Sequence, residues 1–330
     1  MPIAFVTGGS GFVGRNLIAI LKERGDTVRA LARSERAAEV VSSLGAEPVH
    51  GDLNDASSIL EGLKDADIVY HSAAYVEDWG DPKIFHQVNV EGTRCLLQQA
   101  QKAGVSTFVH VSTEAVLVDG TPIVQADETR PLPQKPLGLY AKTKGLAEKV
   151  VLEESDSSIK VVIVRPRFIW GKGDTSLLEE FITIVEQGQY SWISGGRYLT
   201  STCHVRNTCE GMLLAGEKGQ DKGIYFLTDG SPVEFRSFVT SMLEARGIDP
   251  GKRSIPRPLA RLAGWLVEKL WTIFPISGRP PLTGSALRIM GEEVTVIDDK
   301  ARRELGYQAK VCIEQGLEEM RQANHPSAAS

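Results

Sequence analysis

The stretch IAFVTGGSGFVGRNLIAILKERGDTVRALAR, residues 3–33, decides the fold. Apolar IAFV reads as a buried strand and TGGSGFVG as a glycine turn. Leu17, Ile18, Ile20 and Leu21 mark one face of a helix, Gly25 stops it, and TVRALA starts a second strand. That succession is a βαβ unit. Gly8, Gly11 and Gly14 stand at GxxGxxG spacing between strand and helix. There glycines permit a tight turn and let backbone amides at the helix N-terminus approach a pyrophosphate. The spacing predicts a dinucleotide cradle formed by Gly8, Ser10, Gly11, Phe12, Val13 and Gly14.

The alternation continues outward. A helix is expected near 35–44, a strand in EPVHGDL, a helix near 56–64, a strand in ADIVYHSAA and a long helix from about Pro82 to Ala103. TFVHVST, a helix carrying Tyr140, and KVVIVRP follow. These apolar strands alternating with helices imply an α/β fold, a Rossmann-type doubly wound parallel sheet over residues 1–170. Beyond Gly171 the rhythm breaks down. Residues 171–320, including IYFLT, are expected to form mainly a smaller α/β substrate domain over the carboxyl edge of the sheet, with some segments free to return to the Rossmann core, and 321–330 a disordered tail.

Composition narrows the partners. The 330 residues are 42% apolar and 24% charged, with a net charge of −5 and a pI near 5.8. No basic surplus exists to neutralise phosphates of a nucleic acid, so small molecules are the expected partners. Cys95, Cys203, Cys209 and Cys312 lack metal-type spacing and no HExxH occurs, which argues against zinc and against a disulfide framework. Met1 runs straight into the first strand, leaving no room for a signal sequence, and a cytoplasmic protein is expected.

At the end of the second strand, Ala32 occupies the place where an acid would bind the ribose of NAD, and Arg33 follows. A guanidinium there grips a 2′-phosphate, so NADP(H) is favoured, with NAD(H) as the other option. Asp52 and Leu53 end the third strand where an adenine ring would lie, and Ala73 and Ala74 are small enough for a cofactor to pass. VHVST brings Ser112 and Thr113 to the same sheet edge, and Tyr140 and Lys144 share a helix face four residues apart. A tyrosine that moves a proton near neutrality needs its phenolate stabilised, and a lysine one turn away is expected to do so. Thr113 is expected to orient the substrate oxygen as a neutral donor.

Together TGGSGFVG, YAKTK and VIVRPRFIWGKGD resemble the extended short-chain dehydrogenase/reductase superfamily, whose members include epimerases and dehydratases. VRPRFIWGKGD, HVRNTCEGMLLA, GIYFLTDGSPVEFRSFV, RPPLT and ARRELGY are most similar to its 3β-hydroxysteroid dehydrogenase branch, bacterial 2-alkyl-3-oxoalkanoate reductases among them. The resemblance implies hydroxyl/ketone interconversion on a bulky apolar substrate. It implies Tyr140 as proton donor or acceptor, Lys144 as its partner, Thr113 as oxygen-binding hydroxyl and Pro166 beside the nicotinamide. Homodimers are common in the superfamily. Two departures stand out. Thr113 is followed by Glu114 and Ala115, so the second carboxylate of the dehydratases is missing, and HVRN replaces HVDD.

A nucleotide-sugar epimerase would use the same pair and would need Arg197 and Arg206 to hold a diphosphate. A non-catalytic dinucleotide sensor would be expected to have lost Tyr140 or Lys144. Trp170, Trp265 and Trp271 read as core, and His71, His110 and His204 as satisfied structural histidines. Residues 255–276 carry Leu259, Leu262, Leu266, Lys269 and Ile273 at helical spacing, interrupted by charges, so the segment does not span a membrane. It reads as second-domain core, as a lid on an apolar cleft, or as a peripheral membrane contact.

Overall fold

In the computed structural model, which describes residues 1–274, 278, 280 and 283–324, the alternation becomes a seven-stranded parallel sheet. Its strands are β1 (Ile3–Thr7), β2 (Thr27–Ala32), β3 (Glu47–His50), β4 (Ile68–His71), β5 (Thr107–Val111), β6 (Lys160–Pro166) and β7 (Gly223–Leu227). They lie in the order β7-β6-β5-β4-β1-β2-β3. The order reverses between β1 and β4, and at such a switch point a crevice opens beyond the carboxyl ends of the strands.

Helices cover both faces because β4, β5 and β6 are apolar on both. On one face α1 (Phe12–Glu23) buries Phe12, Leu17, Ile18 and Leu21 against the helix Val205–Lys218. On the other, Ala56–Gly62, Gly92–Ala103 and α2 (Leu139–Glu154) share a cluster with Ile59, Leu96, Leu97 and Val151. The long helix expected from Pro82 to Ala103 is present with an interruption: Gln87–Glu91 is a π-helical turn between two α-helical pieces.

One correction concerns IYFLT. It is the seventh strand of the main sheet, paired with β6 from Gly223↔Val162 to Leu227↔Pro166, and lies outside the smaller unit. That unit has its own core of Phe168, Trp170, Phe181, Trp192, Phe235 and Phe238, gathered by α3 (Leu177–Glu186), Phe235–Glu244 and Ile313–Asn324. The last of these helices runs four residues into the expected tail; 325–330 lie outside the described residues.

A second correction concerns the segment 255–276. It forms α4 (Arg257–Ile273), which buries only Ala260 and Gly264. Gly264 sits so close to Leu287 of α5 (Gly284–Ile289) that a Cβ there would lie 2.4 Å from Leu287 Cδ1. Leu259, Leu262, Trp265, Leu266, Leu270 and Ile273 are 47–69% exposed, so neither the segment nor Trp265 is core. Residues 275 and 276, and most of RPPLT, lie outside the described residues. No helix among the described residues is long and apolar enough to cross a membrane.

Candidate active site

The switch-point crevice is a cleft of about 900 Å³, and every expected site residue lines it: the glycine turn from Gly8 to Gly14, Arg33, Asp52, Leu53, Ala73, Ala74, Ser112, Thr113, Tyr140, Lys144 and Pro166. The turn is tight enough to require its glycines. Gly8 has φ +71°, and a Cβ on it would meet Ala73 N at 2.7 Å; a Cβ on Gly14 would lie 2.1 Å from Gly8 O. Helix α1 begins after Gly11 with no side-chain cap and no acid in its first turn, so its leading amides stay available to an anion. Arg33, exposed at the end of β2, has no ion-pair partner among the described residues. This cradle fits a dinucleotide, since Gly8–Gly14 offers backbone amides to a pyrophosphate and Arg33 stands at the end of β2 on the same cleft.

At the other end, α2 projects Tyr140 and Lys144 toward the termini of β5 and β6. Lys144 is 2% exposed. Its ammonium donates to Val111 O at 2.7 Å and to His110 Nε2 at 3.2 Å, and desolvation lowers its pKa to about 8, against the raising influence of Glu148. Tyr140 departs from expectation. Burial pushes its phenol above the ordinary tyrosine range, the charge of Glu114 pushes further, and only Thr113 beside it acts downward. The surrounding side chains therefore hold Tyr140 protonated.

Thr113 also departs from expectation, because its proton is already used. Its Oγ1 donates to Glu114 Oε2 at 2.9 Å and accepts from Ala115 N at 3.1 Å. Ser112 Oγ, buried in the cleft wall, has no hydrogen-bond partner among the described residues and is the hydroxyl left able to donate. Glu114 also receives Arg167 Nη1 at 2.8 Å in a pair whose two side chains are each 4% exposed. A second buried pair, Arg165 with Glu148 at 2.6 and 2.8 Å, braces α2 against β6. In the π-turn, Asn89 donates to Thr143 Oγ1 at 3.0 Å and to Tyr75 O at 3.0 Å, tying α2 to the cleft loop.

Sequence reading missed the contacts that Glu114, Arg167, Glu148 and Asn89 make around the cleft. Glu148 alone left a signal, since Tyr140, Lys144 and Glu148 form an i, i+4, i+8 stripe. Neither Arg197 nor Arg206 lines the cleft; Arg206 pairs with Glu319 on the surface. His71 is satisfied at both nitrogens by Thr7 and Thr93; His204 accepts from Arg206 N through Nδ1, but its Nε2, like His110 Nδ1, has no hydrogen-bond partner among the described residues, so these two are not fully satisfied. Trp170 is fully buried, its indole N–H on Asp229.

Comparisons with known proteins find relatives along almost the whole chain. The chain is 49% identical over 319 residues, 97% of this chain and 96% of the other, to the 4-hydroxy-2-methyl-3-oxo-4-farnesyl-3,4-dihydroquinoline-1-oxide ketoreductase of Stigmatella aurantiaca. It is 35% identical to the decarboxylating sterol-4-alpha-carboxylate 3-dehydrogenase of Dictyostelium discoideum, covering 97% of this chain and 100% of that one. The dTDP-glucose 4,6-dehydratase DesIV of Streptomyces venezuelae, solved as a double mutant with NAD and DAU bound, superposes with a TM-score of 0.77 at 23% identity over 98% of this chain and 97% of that one, a likeness of fold. A family model matches residues 5–257, taking in the glycine turn, the Tyr140/Lys144 helix and the main sheet from within β1 to the end of β7, and by that match the chain belongs to the 3-beta hydroxysteroid dehydrogenase/isomerase family of enzymes.

Proposed function

We propose that the chain interconverts a secondary hydroxyl and a ketone on a bulky, largely apolar substrate, working as a reductase with NADPH. The observation that carries this is the convergence of Tyr140, Lys144, Ser112 and Thr113 at one end of a cleft whose other end is the glycine cradle and Arg33. When bound, the nicotinamide supplies or accepts the hydride. The protein's own part is the proton and the oxygen. Tyr140, held protonated by burial and by Glu114, is set to give its proton to a forming alkoxide. Ser112 Oγ is placed to donate to that oxygen, while Thr113, clamped by Glu114, accepts only. Lys144 spends two of its protons on Val111 O and His110 and keeps one for the cofactor's ribose. Val76, Phe168, Ile169, Leu177 and Met290 give the substrate side apolar walls.

An assay of 3-oxo esters of rising chain length and of 3-oxosteroids, with NADPH and NADH, tests this reading. We expect kcat/KM to rise up to about fourfold per buried methylene, following about 0.8 kcal/mol each. Conversion of a UDP-sugar without ketone turnover would overturn it. Arg33→Ala is expected to weaken NADPH about tenfold or more and NADH hardly at all, measured by calorimetry; equal weakening of both would remove Arg33 from cofactor choice.

A further inference from the structure

The described residues lining the cleft include three cations, Arg33, Lys144 and Arg167. Arg33 stands at the end of β2, and Lys144 is bound to Val111 O and His110. Arg167 is the remaining cation that a substrate anion would seek beside the reacting hydroxyls, and its charge is taken by Glu114 at 2.8 Å within a buried pair. The opposite carboxylate oxygen of Glu114 is held by Thr113 at 2.9 Å and Arg167 also donates to Thr200 Oγ1 at 3.3 Å, so an incoming anion would have to displace a fixed Glu114 to reach Arg167. Farther out the lining adds Glu77, Asp78, Glu179 and Glu180, with Glu179 paired to Arg246 at 3.1 Å. A carboxylate entering here finds its natural partner occupied.

Resting on the hydroxyl/ketone reading, we infer that this site selects substrates that are uncharged around the reacting carbon, and that Glu114 is the specificity-determining residue, because it neutralises the arginine that would otherwise bind a 3-oxo or 3-hydroxy acid. The test compares 3-hydroxydodecanoate with its methyl ester as substrates oxidised with NADP+, in wild type and in Glu114→Gln. With Arg167 taken, the acid forfeits the charge-assisted hydrogen bond that an available arginine would give, a loss equal to roughly 30-fold in binding. Wild type should therefore favour the ester by about that factor in kcat/KM, carried by KM. Glu114→Gln should lower kcat for both substrates through Tyr140 and Thr113, and should shrink the ester-to-acid ratio about tenfold by lowering KM for the acid; a merely structural role would change KM for both alike. An acid that matches its ester in wild type, or an unchanged ratio in folded Glu114→Gln, overturns the inference. The wild-type ratio decides it should the variant not fold. Calorimetry of the two alcohols on the NADP+ complex reads selectivity without turnover. Absence of oxidation with a strong ester preference in binding would count against the reductase reading and leave the inference standing.

Discussion

Helices α1 and α4 carry the same kind of apolar stripe and meet opposite fates. Leu17, Ile18 and Leu21 of α1 are at most 1% exposed, sealed between the sheet and the helix Val205–Lys218. Leu259, Leu262, Leu266 and Ile273 of α4 are 48–69% exposed, and the helix is held by its small residues, Ala260 and Gly264, with Arg257 Nε on Gly291 O at 2.8 Å and Arg261 on Glu292. Periodicity identifies the apolar face of a helix. It does not say whether another element arrives to cover it.

The largest effect that sharpens this contrast belongs to the covered half. Tyr140→Phe should cost about 10² to 10⁴ in kcat, because a general acid is lost, while thermal unfolding and cofactor affinity stay near wild type. Retained turnover would remove Tyr140 from the chemistry and with it the reason for the cradle's neighbourhood. Next comes Gly14→Ala. With only 2.1 Å between the new Cβ and Gly8 O, the turn must open, and we expect about 2–4 kcal/mol of destabilisation together with loss of dinucleotide binding by calorimetry. A folded variant that still binds would show that the cradle yields more readily than its geometry implies.

Lys144 gives a pH signature. Its pKa is about 8 in the folded chain against 10.5 in a model peptide, so the unfolded chain binds more protons between those values. The cost of burying the charge is fully present below about pH 8 and is relieved as pH rises toward 10.5, by roughly 3 kcal/mol in all. Denaturant titrations from pH 7 to 10 should show that rise in wild type relative to Lys144→Met; parallel curves would mean the ammonium is solvated. The smallest effect belongs to α4. Leu266→Ala and Leu262→Gln should each stay within about 0.5 kcal/mol of wild type, whereas Leu17→Ala in α1 should cost about 2–5 kcal/mol. Similar costs at Leu266 and Leu17 would break the comparison and show the outer face of α4 to be covered.

What was legible in the sequence was local. The glycine turn, the strands and the Tyr140/Lys144 spacing are carried within stretches of a few tens of residues, where turn chemistry and periodicity act directly. The Glu114–Arg167 pair joins residues 53 positions apart that meet only because β5 and β6 are neighbours, so no spacing rule marks it. The same holds for Arg165 with Glu148 and for Asn89 with Thr143. The upward push on the Tyr140 phenol was equally hidden, since it arises from burial and from Glu114 rather than from the lysine one turn away. IYFLT was visible as a strand, yet its place beside β6 depends on where the chain returns after its excursion into the smaller unit.

That return has a consequence in time. Strand β6 borders the sheet on one side until β7, ending at Leu227, pairs with it, and Phe226 N is held by Glu128 Oε1 at 2.7 Å across the molecule. On the ribosome, the chain up to residue 170 therefore emerges as a sheet with a bare apolar edge, and at about 5–20 residues per second it must wait several seconds for its seventh strand. The first folding unit to close during synthesis is thus not the nucleotide half by itself, and a fragment cut at the apparent boundary would expose β6 to pairing with other chains.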